Sequence, residues 1–507
     1  MPAADSRQTA RLRQFGQFWT PEPVARAMIA WLLTHAPERI FDPAVGKGVF
    51  YSALKELDVA KKTGFYGIDI DREIIETAWA DRIFDRRSTI EVRDFIKNPP
   101  RQLFQAVAAN PPYIRHHRIP LSTKQLLQAI AHKHTRTKID GRAGMHVYFL
   151  IQSLGLLAKN GRLVFIMPSD TCEGVFAGNL WAWIAGNYRI ERVISFDHPA
   201  SPFPGVDTNP LIFCISNRPP NPAFDWVKVK KLSGHLFDYM AGTEHPRRLT
   251  DLEITSRDIK EALANGFSRP PAKIVHSRYK LKDFATVRRG IASGSNEFFF
   301  LTKEQIDRLA IPAQYFKTGI GRTRDVRGSV ITEKDTLALE GKGRPTFLLS
   351  LDKQTKDELP KPLREYLAYG EKIGLHKKAL ISTRRPWYKM EKRVPPPFLF
   401  AYLGRRSARF IKNEAGVIPL TGFLCIYPNI STRQYLAKLW KLLSDPRTVE
   451  NLGLVGKSYG SGAIKVEPGA LANLPVPDEL ANRLRLIPPS PRQTLPCLKP
   501  QSRPARK

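Results

Sequence analysis

AVAANPPYIRHH, Ala106 to His117, decides how the first half of the chain is read. A small-residue, β-prone run stops at Asn110-Pro111-Pro112-Tyr113, and basic or titratable side chains follow. Two successive prolines can neither continue a helix nor donate to a strand ladder, so the run is a strand that ends at Asn110. Outward from it the same texture repeats. RIFDPAVG, FYGIDID, TIEVRDF, FQAVAAN, GRLVFIMP, RIERVISF and NPLIFCISN read as strands; PVARAMIAWLL, DREIIETAWADRIF and GMHVYFLIQSLGLLAK read as helices. Thr20-Pro21 reads as a cap and first-turn proline for the first of these helices. Strand–helix alternation from about residue 20 to 216 predicts a doubly wound α/β sheet. In such a sheet ligands bind beyond the carboxyl ends of the strands, near the point where strand order reverses.

Unusual residues stand at those predicted ends. The first strand runs into FDPAVGKG, where Asp42 supplies a carboxylate and Gly46 and Gly48 allow a tight turn close to a ligand. The spacing of a phosphate loop is absent, and an acidic strand end favours a cationic or amino-bearing ligand. The second strand ends in YGIDID. Asp69 lies at the distance from the glycine turn that suits ribose hydroxyls, while Asp71 reads as the N-cap of the next helix. The third ends in VRDF, where Asp94 could accept from an adenine amino group and Phe95 pack on the ring. The fourth ends in the quoted motif. An exocyclic amine on a nucleobase is a weak nucleophile because its lone pair is delocalised. Two acceptors on its hydrogens, the Asn110 side-chain carbonyl and the Pro111 backbone carbonyl, draw it towards tetrahedral geometry; Pro112 stiffens the backbone and Tyr113 offers a stacking face.

The second half differs. The chain of 507 residues carries a formal charge of +33, about +8 in residues 1–220 and about +25 in 221–507. Such an excess suits a polyanion, most simply nucleic acid. NRPPNPAFDW breaks the α/β pattern, and residues 218–275 are expected to form a connector. Residues 276–480 mix short strands, turns, aromatics and cations and predict an α+β domain. The proline-rich, basic stretch 481–507 predicts a disordered tail. Cys172, Cys214, Cys425 and Cys497 are scattered, so neither a disulfide framework nor a metal site is expected. The N-terminal stretch lacks a signal-like apolar core and no run is long enough to span a bilayer, which predicts a cytoplasmic protein.

With these motifs in hand, the sequence resembles the gamma-class, TaqI-like DNA adenine aminomethyltransferases of Type II restriction-modification systems. They share the order of opening helix, glycine turn, NPPY, then a target-recognition domain. GQFWTPEPVARAMIAWL, FDPAVGKG, NPPY and SPFPGVDTNPLIFCISN carry the resemblance over roughly residues 14–217. It implies a class I, Rossmann-like methyltransferase domain over residues 1–217 that uses S-adenosylmethionine. Thr20, Asp42, Ala44, Gly46, Gly48, Asp69, Asp94 and Phe95 would hold that cofactor. Asn110, Pro111, Pro112 and Tyr113 would act on a flipped-out adenine, with Phe203, or the nearby Phe196, holding the base. The glycine motif departs from the usual pattern in having Val45 where Cys is common. The stretch AGMHVYF departs too: Gly144 or His146 stands where the family carries an acidic or amide residue followed by Leu-Tyr, and no role carries over. His116 and His117 are expected as wall or phosphate contacts. In the second domain Arg288, Arg289, Arg384, Arg385, Lys389, Arg405 and Arg406 are candidate DNA contacts. Double-stranded DNA and a separately encoded restriction endonuclease are the expected partners, of a monomer. Methylation of RNA, of protein glutamine or of cytosine are competing readings, as is a sequence-specific binder that has lost catalysis. The large basic second half weighs against RNA and protein, and the intact Asn110 and Tyr113 against the inactive binder.

Overall fold

A computed structural model describes residues 19–486 except 59–61, 174–175, 204–208, 272–274, 276, 402–407 and 460–462. The chain divides into two compact units at about residue 275.

The first unit is built on one nine-stranded sheet of order β3-β2-β1-β4-β5-β7-β6-β8-β9. The strands are β1 (Arg39–Asp42), β2 (Gly64–Asp69), β3 (Ser88–Val92), β4 (Phe104–Ala109), β5 (Leu157–Pro168), β6 (Arg189–Phe196), β7 (Pro210–Ser216), β8 (Ala223–Val229) and β9 (Leu252–Asp258). Strands β1 to β5 pair in parallel, and β7 inserts antiparallel between β5 and β6. The helices are α1 (Glu22–Leu33), α2 (Val49–Leu57), α3 (Arg72–Ala80), α4 (Leu121–Thr135), α5 (Met145–Gly155), α6 (Ala177–Asn187), α7 (Gly234–Ala241) and α8 (Ile259–Asn265). The central strands β4, β5 and β7 are buried on both faces, which is why they read as near-continuous apolar runs. Along β1 and β4 alternate side chains serve opposite cores. Phe41 and Val107 join the layer with α5 and α6; Ile40, Ala106 and Ala108 join the layer with α1 and α2.

Two sequence expectations are corrected here. Residues 218–275 are no connector: β8 pairs in parallel with β6 and antiparallel with β9, extending the sheet by two strands. The prolines around Pro219–Pro222 only break the chain between β7 and β8. This extension ends in a buried ion pair. The Arg257 guanidinium, 1% exposed, lies 2.5 Å from Glu261 and donates to the carbonyls of Gly266, Phe267 and Arg269. It thereby satisfies backbone acceptors beyond the end of α8 that would otherwise be buried without donors. The second correction is at the other end. Residues 481–486 are ordered; Leu480, Ala481 and Leu486 pack into the core of the second unit. The rest of the expected tail lies outside the described residues.

The second unit is α+β. Strands Ala285–Arg289, Phe423–Pro428, Phe398–Ala401, Arg409–Asn413 and Val330–Ile331 form a five-stranded sheet in that order. Phe300–Leu301, Phe347–Leu349, Phe316–Ile320 and Ile418–Pro419 form a four-stranded one. Gly290 is required between them, because a Cβ there would meet the Leu420 carbonyl oxygen at 2.1 Å. No described helix is long and apolar enough to cross a membrane.

Candidate active site

Parallel pairing brings the carboxyl ends of β1, β2, β3 and β4 to one edge, and the order reverses between β1 and β4. A cavity of about 640 Å³ opens there, lined among others by Trp19, Thr20, Asp42, Ala44, Gly46, Asp69, Ile70, Asp94, Phe95, Asn110, Pro111 and Pro112. Gly48 is not in the lining. It starts α2 in the left-handed region at φ 78°, and a Cβ there would strike Phe84 and Ile83. Gly46 is also left-handed, φ 50°, and a Cβ on it would meet the Trp19 ring at 2.8 Å.

The acids are held in distinct ways. Asp42 is fully buried; one oxygen accepts from the Ala44 amide at 3.0 Å, while Oδ2 has no hydrogen-bond partner among the described residues. Burial pushes its pKa well above the usual carboxylate range. Asp69 accepts from the amides of Gly46 at 2.9 Å and Asp71 at 3.0 Å, tying the glycine turn to β2. Burial raises its pKa too, against the pull of those amides. Asp71 caps α3 through the Ile74 amide, as its place before a helix implies. Asp94 accepts from the amides of Ile96 and Lys97. Phe95 is 2% exposed and packs tilted against the Phe41 and Phe149 rings.

Asn110 sits at the end of β4, and its amide nitrogen donates to Thr20 Oγ1 at 2.9 Å. Thr20 is therefore not the helix cap the sequence suggests: Pro21 occupies the N-cap position of α1, and the threonine hydroxyl serves the asparagine instead. Tyr113 does not line the cavity. Its hydroxyl donates to the Ile166 carbonyl at 3.2 Å, burial raises its pKa, and its ring meets His146 edge-to-face with centroids 5.7 Å apart. Phe203 is 5% exposed, belongs to the core beside Ile194 and Ile212 and is not in the cavity lining; Phe196 is half-buried against the same core. His117, Arg115 and Arg118 are exposed just past the motif, whereas His116 is half-buried and its pKa is lowered, chiefly by burial. Sequence reasoning missed Trp19, Ile70, Met145 and Phe149 in the lining. The one available signal was Ile70, an apolar residue between two acids at a strand end, which proves 69% exposed.

The cations of the second unit do not converge in this way. Arg288 and Arg289 are neighbours on one strand, so they project to opposite faces of its sheet. Arg289 pairs with Glu467 at 2.5 Å. Arg384 is a structural clamp rather than a surface cation: its guanidinium donates to the carbonyls of Ala292 and Ser293 at 2.7 and 2.8 Å and lies over the Phe299 ring. Arg385 is exposed, and Lys389 is half-buried 3.6 Å from Asp352. Arg405 and Arg406 lie outside the described residues.

Two family models match: the Eco57I restriction-modification methylase over residues 54–203, and the C-terminal domain of the Type II methyltransferase M.Eco57I over 272–489. Over these two stretches, most of the chain, it is similar to Type II restriction-modification methylases. It is 25% identical to the Type II methyltransferase M.AccI of Acinetobacter calcoaceticus over 90% of this chain and 84% of that one. Its identity to M.XamI of Xanthomonas campestris pv. amaranthicola is also 25%, over 92% and 86%. The Type IIL restriction-modification enzyme MmeI, solved in complex with DNA, shares the fold at a TM-score of 0.58 and 14% identity, covering 88% of this chain and 62% of that one. The fold is thus a class I methyltransferase with a C-terminal domain, and the cofactor of this methylase family is S-adenosylmethionine. The cavity fits it. The partnerless Asp42 oxygen suits an ammonium group, the half-committed Asp69 carboxylate suits hydroxyls, and Ile70 gives an apolar face.

Proposed function

We propose that the protein transfers a methyl group from S-adenosylmethionine to the exocyclic amine of an adenine in a specific double-stranded DNA sequence, as the modification enzyme of a restriction-modification system of the gamma-class kind. The observation that carries this reading is the placement of Asn110-Pro111-Pro112 in the wall of the same cavity as the Gly46 turn. S-adenosylmethionine supplies an activated methyl group on a sulfonium. Everything else falls to the protein. Asp42, Asp69 and Asp94 hold the donor from three strand ends. Thr20 accepts from the Asn110 amide nitrogen and so sets the amide's orientation, with its carbonyl oxygen on the other edge. That oxygen and the Pro111 carbonyl accept the two hydrogens of the target amine, localising its lone pair for in-line attack. This is catalysis by positioning and polarisation, with no strong base required. An adenine inside a duplex is out of reach, so it must leave the stack at about a few kcal/mol. Stacking on Tyr113 returns part of that, about 1–3 kcal/mol for an aromatic face. The positive second unit supplies duplex affinity, with Arg288 and Arg385 as exposed contacts and Arg405 and Arg406 as further candidates.

Methylation-aware sequencing of DNA from cells expressing the chain tests this. N6-methyladenine in one reproducible sequence context is expected. Modified cytosine there, or no modified base at all, would overturn the adenine reading.

A further inference from the structure

His146 belongs to the stretch, with Gly144, that departs from the family pattern and to which the sequence assigns no role. In the structure it stands one residue into α5, between Tyr113 and the short turn Ser169–Cys172 that follows β5. Its Nε2 is 2.9 Å from Thr171 Oγ1, and Thr171 is fully buried and receives the Trp181 indole N–H on its carbonyl at 3.0 Å. Its Nδ1 is buried with no hydrogen-bond partner among the described residues. These facts favour one tautomer. With the proton on Nε2, directed at Thr171, the orphan at Nδ1 is only a lone pair; the reverse would bury an unpaired N–H, which is rarer and costlier. Protonation would also place an N–H at Nδ1, and burial accordingly lowers the pKa to about 4. Gly144 is shaped to the ring, since a Cβ there would lie 2.7 Å from His146 Cε1. The imidazole is therefore held by a hydrogen bond on one side and by backbone on another, and it meets the Tyr113 ring at 77°.

We propose that His146 is a positioning residue that fixes the plane of the Tyr113 ring, so that Thr171, His146 and Tyr113 form one relay from the β5 turn to the stacking face. This deepens the functional reading above and rests on it for the meaning of that face. The Ile166 carbonyl accepts from the hydroxyl of Tyr113, at the far end of the ring axis. The His146 edge packs against the ring itself and opposes rotation about that axis.

The test compares wild type, His146→Ala, His146→Phe and Thr171→Val in steady-state methyl transfer, using radiolabelled S-adenosylmethionine and the acceptor that the wild type modifies. His146→Ala is expected to lower kcat roughly tenfold, the scale of a misoriented reactant, with cofactor affinity and melting temperature unchanged. His146→Phe, which restores an edge without the hydrogen bond, should recover most of the loss. Thr171→Val should fall between, and it carries the test should His146→Ala not fold. A 2-aminopurine placed at the target position should fluoresce more brightly in complex with His146→Ala than with wild type, because a looser ring stacks and quenches less. Unimpaired kcat in both His146→Ala and Thr171→Val, or equal impairment of the alanine and phenylalanine variants, would overturn the proposal. A wild type silent on DNA but active on RNA or protein would sink the DNA reading and leave this comparison standing.

Discussion

The strand ends of the first unit and the arginines of the second differ in what holds them. Asp42, Asp69, Asp94 and Asn110 stand on different strands yet reach one cavity, because parallel pairing fixes where every carboxyl end lies. Arg288, Arg289, Arg384 and Lys389 are equally prominent in the sequence, yet one points away from its neighbour, one pairs with a carboxylate, one clamps a turn and one sits beside an aspartate. A topology collects residues at strand ends; a net charge collects nothing. A polar side chain in the first unit can therefore be assigned a role by its place, whereas a cation in the second needs its partners inspected first.

Substitutions can break or sharpen this contrast. The largest effect is expected at Asn110→Ala, which removes one preorganised acceptor and should lower kcat about 10²–10³-fold while cofactor affinity by calorimetry stays near normal. Equal loss of both would show that the first unit's residues do not divide their work by strand. Next comes Asp42→Asn, expected to weaken cofactor binding about ten- to hundredfold, the scale of a hydrogen bond to a charged group. The pH dependence has a definite sign. Burial raises the folded-state pKa of Asp42 and, less strongly, of Asp69, with Asp71 the nearby carboxylate acting on Asp69 in the same direction. A cation is bound by the ionised forms, so affinity should fall on acidification while still above the ordinary aspartate range. The cofactor-free fold should do the opposite. Its contribution from these acids is full below the unfolded pKa and is lost as pH rises through the raised values. Melting curves and titrations across pH on wild type and Asp42→Asn check both slopes.

Gly46→Ala is expected to weaken cofactor binding about tenfold, since a left-handed alanine costs about 1–2 kcal/mol and its Cβ would displace Trp19. In the second unit Arg384→Ala should lower unfolding free energy by about 1–3 kcal/mol, the cost of leaving buried carbonyls without a donor, as read from denaturant titration. Arg385→Ala, one residue on, loses only exposed bonds to the Ser382 and Arg384 carbonyls, so it should cost less stability than Arg384→Ala and reduce the salt slope of DNA binding by about one. An interchange of these last two outcomes would return Arg384 to the DNA surface and erase the contrast.

Much of the catalytic fold was legible in the sequence. Seven strands and the acid or amide at the end of each of the first four could be read from apolar runs closed by Gly, Pro, Asp or Asn, since both faces of a parallel sheet are buried. β8 and β9 were not, because AFDWVKV and LEITSRD sit at the sheet's far edge, where half the side chains are polar, and a proline-rich stretch precedes them. Asp71 was legible as a cap because capping is local. Thr20 was misread for the same reason: a cap is decided by neighbours in sequence, but its hydroxyl is used by Asn110, ninety positions away.

By itself, then, the sequence determined the α/β class, the polar strand ends that reach the cavity, the tight glycine turn at Gly46 and the charge imbalance between halves. These depend on residue type and on spacing along a few consecutive positions. Only the tertiary structure decided that Thr20 orients Asn110, that His146 abuts Tyr113, that Phe203 is core and that Arg384 is a clamp. Those assignments depend on which groups meet across long sequence separations, and a hydrogen bond or a ring contact forms only between groups that packing has already brought within a few ångströms.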